Sequence, residues 1–325
     1  MRACGRGGDG SLLVGGTGSA PEATRTRVTT AMTIRDLLRD NAPTLSYELF
    51  PPRTPAAEET LEQTMRVIAA THPDFISITY GASGSTRSTS RGVVQRVAES
   101  HTIPPLAHLT CVDQSRAELV QVIEGYLDQG VRDFLALRGD PPQGQADWRP
   151  HPDGLLYASQ LVTLLREVAH AHGIGDLSIG VTAFPAQHAM ARWRQQGLDV
   201  LAAKQEAGAD FAITQVFYEV DQYVSLVQDA RDQGIGLPII PEVMPLVSAR
   251  RAHRAAQLTG VPTPESLVAD LEAAEDDAAG RAAGVEHAAR LSRDLLDAGA
   301  PGIHVITFNK HEAAMDLVSR LPLRG

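Results

Sequence analysis

The sequence predicts an α/β protein, a single (β/α)8 TIM barrel, and three observations support that reading. From Leu45 onward, short β-rich runs alternate with longer segments of helical period, the pattern of a parallel sheet covered by helices. There are eight such runs, the number at which a parallel sheet closes with its interior just filled by side chains. Helices end in a small or acidic residue and glycine with a strand almost at once, whereas the long connections follow strands; these are the two faces of a barrel. An open doubly wound sheet, the competing architecture, predicts a Gly-rich fingerprint after the first strand, where this chain has Phe50-Pro51-Pro52-Arg53.

Residues 1–31, rich in Gly, Ser, Thr and Arg without periodicity, are expected to form a disordered N-terminal tail, and residues 32–325 the catalytic barrel. Met32 opens a stretch of helical apolar spacing (Ile34, Leu37, Leu38) with Thr33 as cap, and is the expected start of translation. The strand runs begin at Leu45 (LSYELF), Phe75 (FISITYG), Leu106 (LAHLTC), Phe134 (FLALRG), Leu177 (LSIGVTAF), Phe211 (FAITQVFY), Leu237 (LPIIPEVMP) and Ile303 (IHVITF). Gly130, Gly208 and Gly299 sit just after helices, where glycine takes the left-handed conformation that turns the chain back to the sheet. The Pro-rich segment from Asp140 to Gly154 follows a strand and belongs to the top, where barrel enzymes keep their active sites. The acidic, Ala-rich stretch from Pro262 to Asp277 reads as an extra surface helix pair before the eighth strand.

A chain of 325 residues with 43% hydrophobic content can bury one large core without a disulfide or metal. Net charge is −10 and the basic residues are scattered among acids, so no nucleic-acid partner is expected. No apolar run is long enough to cross a bilayer, and Leu12-Leu13-Val14 is too short for a signal-peptide core, so no membrane partner is expected either. Cys4 and Cys111 stand in unrelated contexts, which argues against a structural pair and for a reducing, cytoplasmic location. A homo-oligomer is compatible with the sequence.

Polar residues at the C-terminal ends of the strands are informative because the loops there line a common cavity. They are Glu48; Thr79 and Tyr80; His108 and Thr110; Arg138, Gly139 and Asp140; Thr182 and Phe184; Thr214 and Gln215. Converging polar groups on an apolar scaffold suggest a small-molecule site. Glu48 stands between Tyr47 and Leu49 in an almost wholly apolar strand. A carboxyl there is poorly solvated, its pKa is expected to rise, and it suits a general acid; the alternative is a structural ion pair with a nearby Arg. Asp140 lies in a Gly-Asp-Pro-Pro that is also a common turn sequence. His108 is as compatible with a hydrogen-bonded core residue as with a ligand, and no second His or Cys stands at metal spacing, so no metal is expected. A nucleophile elbow, a His-Glu-x-x-His motif and a P-loop are all missing, which disfavours hydrolysis and phosphoryl transfer.

Five motifs occur in order at strand ends: Ser46-Tyr47-Glu48-Leu49-Phe50-Pro51-Pro52, Ile78-Thr79-Tyr80-Gly81-Ala82, Ala107-His108-Leu109-Thr110-Cys111, Leu137-Arg138-Gly139-Asp140 and Ile213-Thr214-Gln215. With them the chain resembles the methylenetetrahydrofolate reductases from the first strand to Asn309. The resemblance implies reduction of 5,10-methylenetetrahydrofolate to 5-methyltetrahydrofolate by NADH or NADPH through FAD, which supplies methyl groups for methionine synthesis. It implies two catalytic residues, Glu48 as the acid that protonates the folate and opens its five-membered ring to an iminium, and Asp140, whose charge stabilises the cationic intermediate. Flavin contacts implied in the same way are Thr79, Tyr80, Ala82, His108, Arg138, Gly139, Asp140, Tyr157, Phe184, His188, Ala191 and Lys204, with Arg138 and Lys204 giving positive potential for a pyrophosphate. Thr79 is also implied to lie near the nicotinamide. Implied folate contacts are Asp140, Gln215, Arg251 and Lys310.

The chain also departs from the family. Gly197, Val200 and Ala203 replace polar residues usual before the matching Lys, so polar handles for the adenosine end of FAD are missing. Arg251 and Ala255 replace a usual Gln and a stacking aromatic, and Lys310 replaces a planar Arg. Two functions are therefore in view: an active reductase with FAD held weakly or dispensed with, and a folate- or nucleotide-binding paralogue with little catalysis. Glu48, Asp140 and Gln215 together favour the first, because a pure binder has no need of a poised acid.

Overall fold

Strands rich in Val, Ile, Leu and Phe without polar alternation must be covered on both faces, and here they are. The computed structural model describes residues 32–40, 42–80, 84–99, 103–140 and 149–323, with the backbone alone at 84–87, 188, 191 and 192. The expected tail lies outside the described residues. The eight runs form nine strands: β1 (Thr44–Leu49), β2 (Phe75–Ile78), β3 (Pro105–Thr110), β4 (Asp133–Leu137), β5 (Ser178–Ala183), β6 (Phe211–Thr214), β7 (Ile239–Ile240), β8 (Glu242–Val243) and β9 (Gly302–Ile306). All pair in parallel, in the order β7-β6-β5-β4-β3-β2-β1-β9-β8.

The extra strand comes from a break in the seventh run. Ile239 and Ile240 pair with Ala212 and Ile213 of β6, whereas Glu242 and Val243 pair with His304 and Val305 of β9. Pro241 between them has no N–H to give to a ladder, and its carbonyl accepts from the His304 N–H at 2.9 Å. One run thus changes partners at a proline and closes the ring, so the (β/α)8 barrel is as predicted.

Phe75, Leu106, Leu135, Phe211, Ile213 and Ile240 fill the lower interior together with Ile34 from the short helix Ile34–Leu37. That helix plugs the bottom. The Ile34 N–H donates to Asp133 Oδ1 (2.8 Å) and the Arg35 N–H to Ser178 Oγ (3.1 Å), the first residues of β4 and β5. A larger apolar layer lies between the sheet and the surrounding helices. Gly130, Gly208 and Gly299 have φ of 83°, 102° and 86°, the left-handed turn expected of them.

The stretch after Pro262 differs from the expected surface pair. It forms one short helix, Glu265–Glu272, whose Leu267 and Leu271 are buried, and then leads into the long helix Asp277–Asp297. That long helix lies against the loop after β8 so closely that a Cβ on Gly284 would overlap the Leu246 carbonyl oxygen. Among the described residues no helix is long and apolar enough to cross a membrane.

Candidate active site

At the upper end of β1, Glu48 turns into the barrel and is almost fully covered. Its Oε1 accepts from the Thr79 hydroxyl at 2.9 Å, and its Oε2 stands 3.5 Å from His304 Nε2 and 4.0 Å from His108 Nε2. Among the described residues no Arg or Lys pairs with it. Glu242 of β8, unremarked in the sequence analysis, is equally buried beside it.

The electrostatics correct one expectation. Burial is the strongest influence on Glu48 and pushes its pKa up, but the His304 ring, His108 and the Thr79 hydroxyl together hold it below the ordinary value. The raised carboxyl is Glu242: burial, and then the charge of Glu48, lift it well above the usual range. His108 is pushed down to about 4 by burial, against the upward pull of Glu48, so its approach to Glu48 is not an ion pair. Its Nε2 and the Thr110 hydroxyl are buried at the barrel mouth without a partner among the described residues.

Glu48, Glu242 and His304 bring ligand-type atoms within 4.8 Å of one another, although none is at metal spacing along the chain. His304 has both ring nitrogens engaged by serine hydroxyls, Nδ1 with Ser46 at 2.8 Å and Nε2 with Ser77 at 3.1 Å. Two acids beside an imidazole already committed in this way have the chemistry of a proton network.

Thr79, His108, Arg138, Gly139, Asp140, Phe184 and Gln215 stand at or just after the C-terminal ends of their strands. Tyr80 is buried; Arg138, Asp140 and Tyr157 are exposed; Gly139 has φ of 83° and packs on Val112. Ala82 lies outside the described residues. His188 ends the short helix Pro185–His188 and Ala191 begins the helix Ala191–Glu206, their side chains being outside the description. Lys204 is buried and donates to the Thr182 carbonyl at 2.7 Å, with its ammonium 5.7 Å from the Phe184 ring centre. Burial lowers its pKa to about 8. Phe184, Trp193, Gly197, Val200 and Lys204 line a cavity of about 190 Å³. Gln215 turns its Oε1 back to accept from the Val216 N–H at 2.9 Å.

A second cavity, of about 250 Å³, lies between the ends of β8 and β9 and is lined by Arg250, Arg251, Arg281, Phe308 and Lys310 among others. Arg251 sits 5.3 Å from the Phe308 ring centre, and Phe308 stacks on Phe50 at 6.0 Å with a 6° interplanar angle. Ala255 is buried in the core and does not line the cavity; the accessible ring beside Arg251 is Phe308. Sequence reasoning missed Glu242, His304 and Phe308. Glu242 and His304 carried the same signal as Glu48, a polar residue in an apolar run, while Phe308 carried none.

Residues 33–322 match the family model described as methylenetetrahydrofolate reductase. Over 281 residues the chain is 33% identical to the 5,10-methylenetetrahydrofolate reductase of Escherichia coli strain K12, covering 86% of this chain and 91% of that protein. It is 31% identical over 301 residues to methylenetetrahydrofolate reductase (NADH) 1 of Arabidopsis thaliana, covering 89% of this chain and 50% of that longer protein. Among solved structures, a Clostridium thermocellum protein described as binding two copies of 5-methyl-5,6,7,8-tetrahydrofolic acid superposes with a TM-score of 0.58 at 17% identity, covering 87% of this chain and 96% of that one. At that identity the likeness is one of fold.

Proposed function

Because the chain belongs to the methylenetetrahydrofolate reductase family, we propose that it reduces 5,10-methylenetetrahydrofolate to 5-methyltetrahydrofolate at the expense of NADH or NADPH. The reading is supported above all by Glu48, an acid buried at the barrel mouth within reach of a hydroxyl and two imidazoles. A proton delivered there to the folate bridge nitrogen opens the five-membered ring, and the resulting iminium carbon accepts hydride to become the methyl group. Asp140, exposed at the end of β4, offers negative charge to that cation, and Gln215 offers a folate hydrogen bond.

The residues present suit a flavin at the mouth. Buried, unpartnered His108 Nε2 and Thr110 Oγ1 call for a polar ligand, and the Phe184–Trp193 cavity offers apolar surface. Bound FAD supplies a two-electron relay between nicotinamide and folate. Thr79, Tyr80, His108, Arg138 and Gly139 would hold it at the mouth, and Phe184 and Lys204 at the cavity. Gly197 and Val200 add no polar handle to that cavity, where Gln187, Gln196 and Lys204 remain, so the adenosine end of FAD would be held weakly.

Flavin absorbance of the purified protein, with NADH oxidation followed in the presence of methylenetetrahydrofolate or menadione, tests the reading. Activity with neither acceptor, with or without added FAD, would sink it. Glu48→Gln should lower folate reduction by about 100-fold or more while leaving menadione reduction largely intact, since only the folate half-reaction needs the proton.

A further inference from the structure

Two acids meet inside the barrel where the proposed reaction requires one. In the ring, β8 and β1 flank β9, and His304 of β9 is in register with both Ser46 and Glu242. Ring closure thereby sets an oxygen of Glu242 and an oxygen of Glu48 within 4.8 Å of each other and of a His304 nitrogen. Glu48 is 8% exposed and Glu242 7%, so both are shut away from water. Two carboxylates this close and this dry do not both ionise without a large cost, and the pair therefore holds a proton near neutrality.

The surroundings decide which acid carries it. Glu48 receives the Thr79 hydroxyl at 2.9 Å and faces His304. Among the described residues no side-chain donor is found on the Glu242 carboxyl, and its backbone N–H donates to Thr214 Oγ1 at 2.9 Å. An ionised carboxylate needs donors and a neutral acid needs them less. Among the described residues, the other titratable groups facing the pair are His108 from β3, next to Glu48, and the Tyr218 phenol beyond β6, whose pKa is raised chiefly by burial. His287 of the helix Asp277–Asp297 packs on the Tyr218 ring, with centres 6.5 Å apart.

We propose that Glu242 is the proton-holding partner of Glu48: the two carboxyls share one proton, which rests on Glu242 and reaches the folate nitrogen through Glu48. This rests on the reductase reading. In the step, the O–H bond of Glu242 breaks and one forms on Glu48. The Glu48 proton then passes to the folate nitrogen as its bond to the bridging carbon breaks, the electron pair staying on nitrogen. No electrons leave the folate in this step. It ends with two facing carboxylates, whose repulsion draws a proton back from solvent before the next turnover.

Glu242→Gln tests the assignment in the full chain, because Gln keeps the shape of a neutral acid and holds no transferable carboxyl proton. Infrared difference spectra between wild type and variant at neutral pH should show the carbonyl band of a protonated carboxylic acid, lost in Glu242→Gln and regained in Glu242→Asp. Subtraction cancels the contribution of Asp133. The alkaline limb of the kcat/KM profile for folate reduction should move to lower pH in Glu242→Gln, leaving the neutral rate about 100-fold down, with menadione reduction unchanged and Glu242→Asp restoring most of the loss. A difference spectrum without the band, or a limb that stays in place, overturns the proposal. A band that behaves as expected in a protein that reduces no folate sinks the reductase reading and leaves the shared proton standing.

Discussion

Thr79 donates its hydroxyl to Glu48, with 2.9 Å between Oγ1 and Oε1, and so helps to hold that carboxyl below its ordinary pKa. A hydrogen bond to the charged form favours ionisation, and removing it returns affinity for the proton. Thr79→Val keeps the shape and removes the donor. The alkaline limb of the folate-reduction profile should move to higher pH, opposite in sign to the effect of Glu242→Gln. A shift in the acid direction would contradict the role given to Thr79.

Asn309 brackets the start of the loop after β1. Its Oδ1 accepts from the Phe50 N–H at 2.9 Å and its Nδ2 donates to the Phe50 carbonyl at 2.8 Å, from a backbone at φ 56°. Asn accepts that left-handed conformation more readily than most residues. Asn309→Ala loses both bonds and retains the strain, and should cost roughly 2 kcal/mol in urea unfolding. It should also raise the KM for folate, because Phe50 supports the Phe308 ring beside Arg251. A loss under about 0.5 kcal/mol would mean that the bracket is not structural.

Asp133 ties the bottom plug to β4 by accepting from the Ile34 N–H, and burial pushes its pKa to about 7 from 3.8. The folded chain therefore binds a proton that the unfolded chain has released. Its stabilising effect is complete below pH 3.8 and is lost as pH rises through about 7. Asp133→Asn keeps an acceptor for Ile34 and removes the titration. Its Tm relative to wild type should climb from mildly acidic to mildly alkaline pH; parallel Tm curves for the two proteins rule the mechanism out.

Gly284 lets the helix Asp277–Asp297 lie against the Leu246 carbonyl, where a Cβ has no room. Gly284→Ala should destabilise the barrel by about 1–3 kcal/mol, because backbone on one side or the other has to move. The moving segment includes Pro245, Val247 and Ser248 of the basic cavity, so the KM for folate should rise with little change in menadione reduction. An unchanged KM alongside the lost stability would separate this contact from the cavity.

Hydrophobic period, turn glycines and loop lengths are local properties of the chain, and from them the barrel, its eight β-rich runs, the top and bottom faces and the ring of polar strand ends are legible. The sequence also located Glu48, because an acid in an apolar run is visible without neighbours. What it could not decide is the protonation of that acid. Desolvation, the only influence legible in one strand, predicts a raised pKa for Glu48. Pairing with β2 and closure of the ring through the break at Pro241 bring Thr79 and His304 to Glu48 and lower it, and set Glu242 beside it on β8 as the raised carboxyl. The site of a proton is set by charges and donors a few ångströms away in space, and only the tertiary structure brings β1, β8 and β9 within that distance.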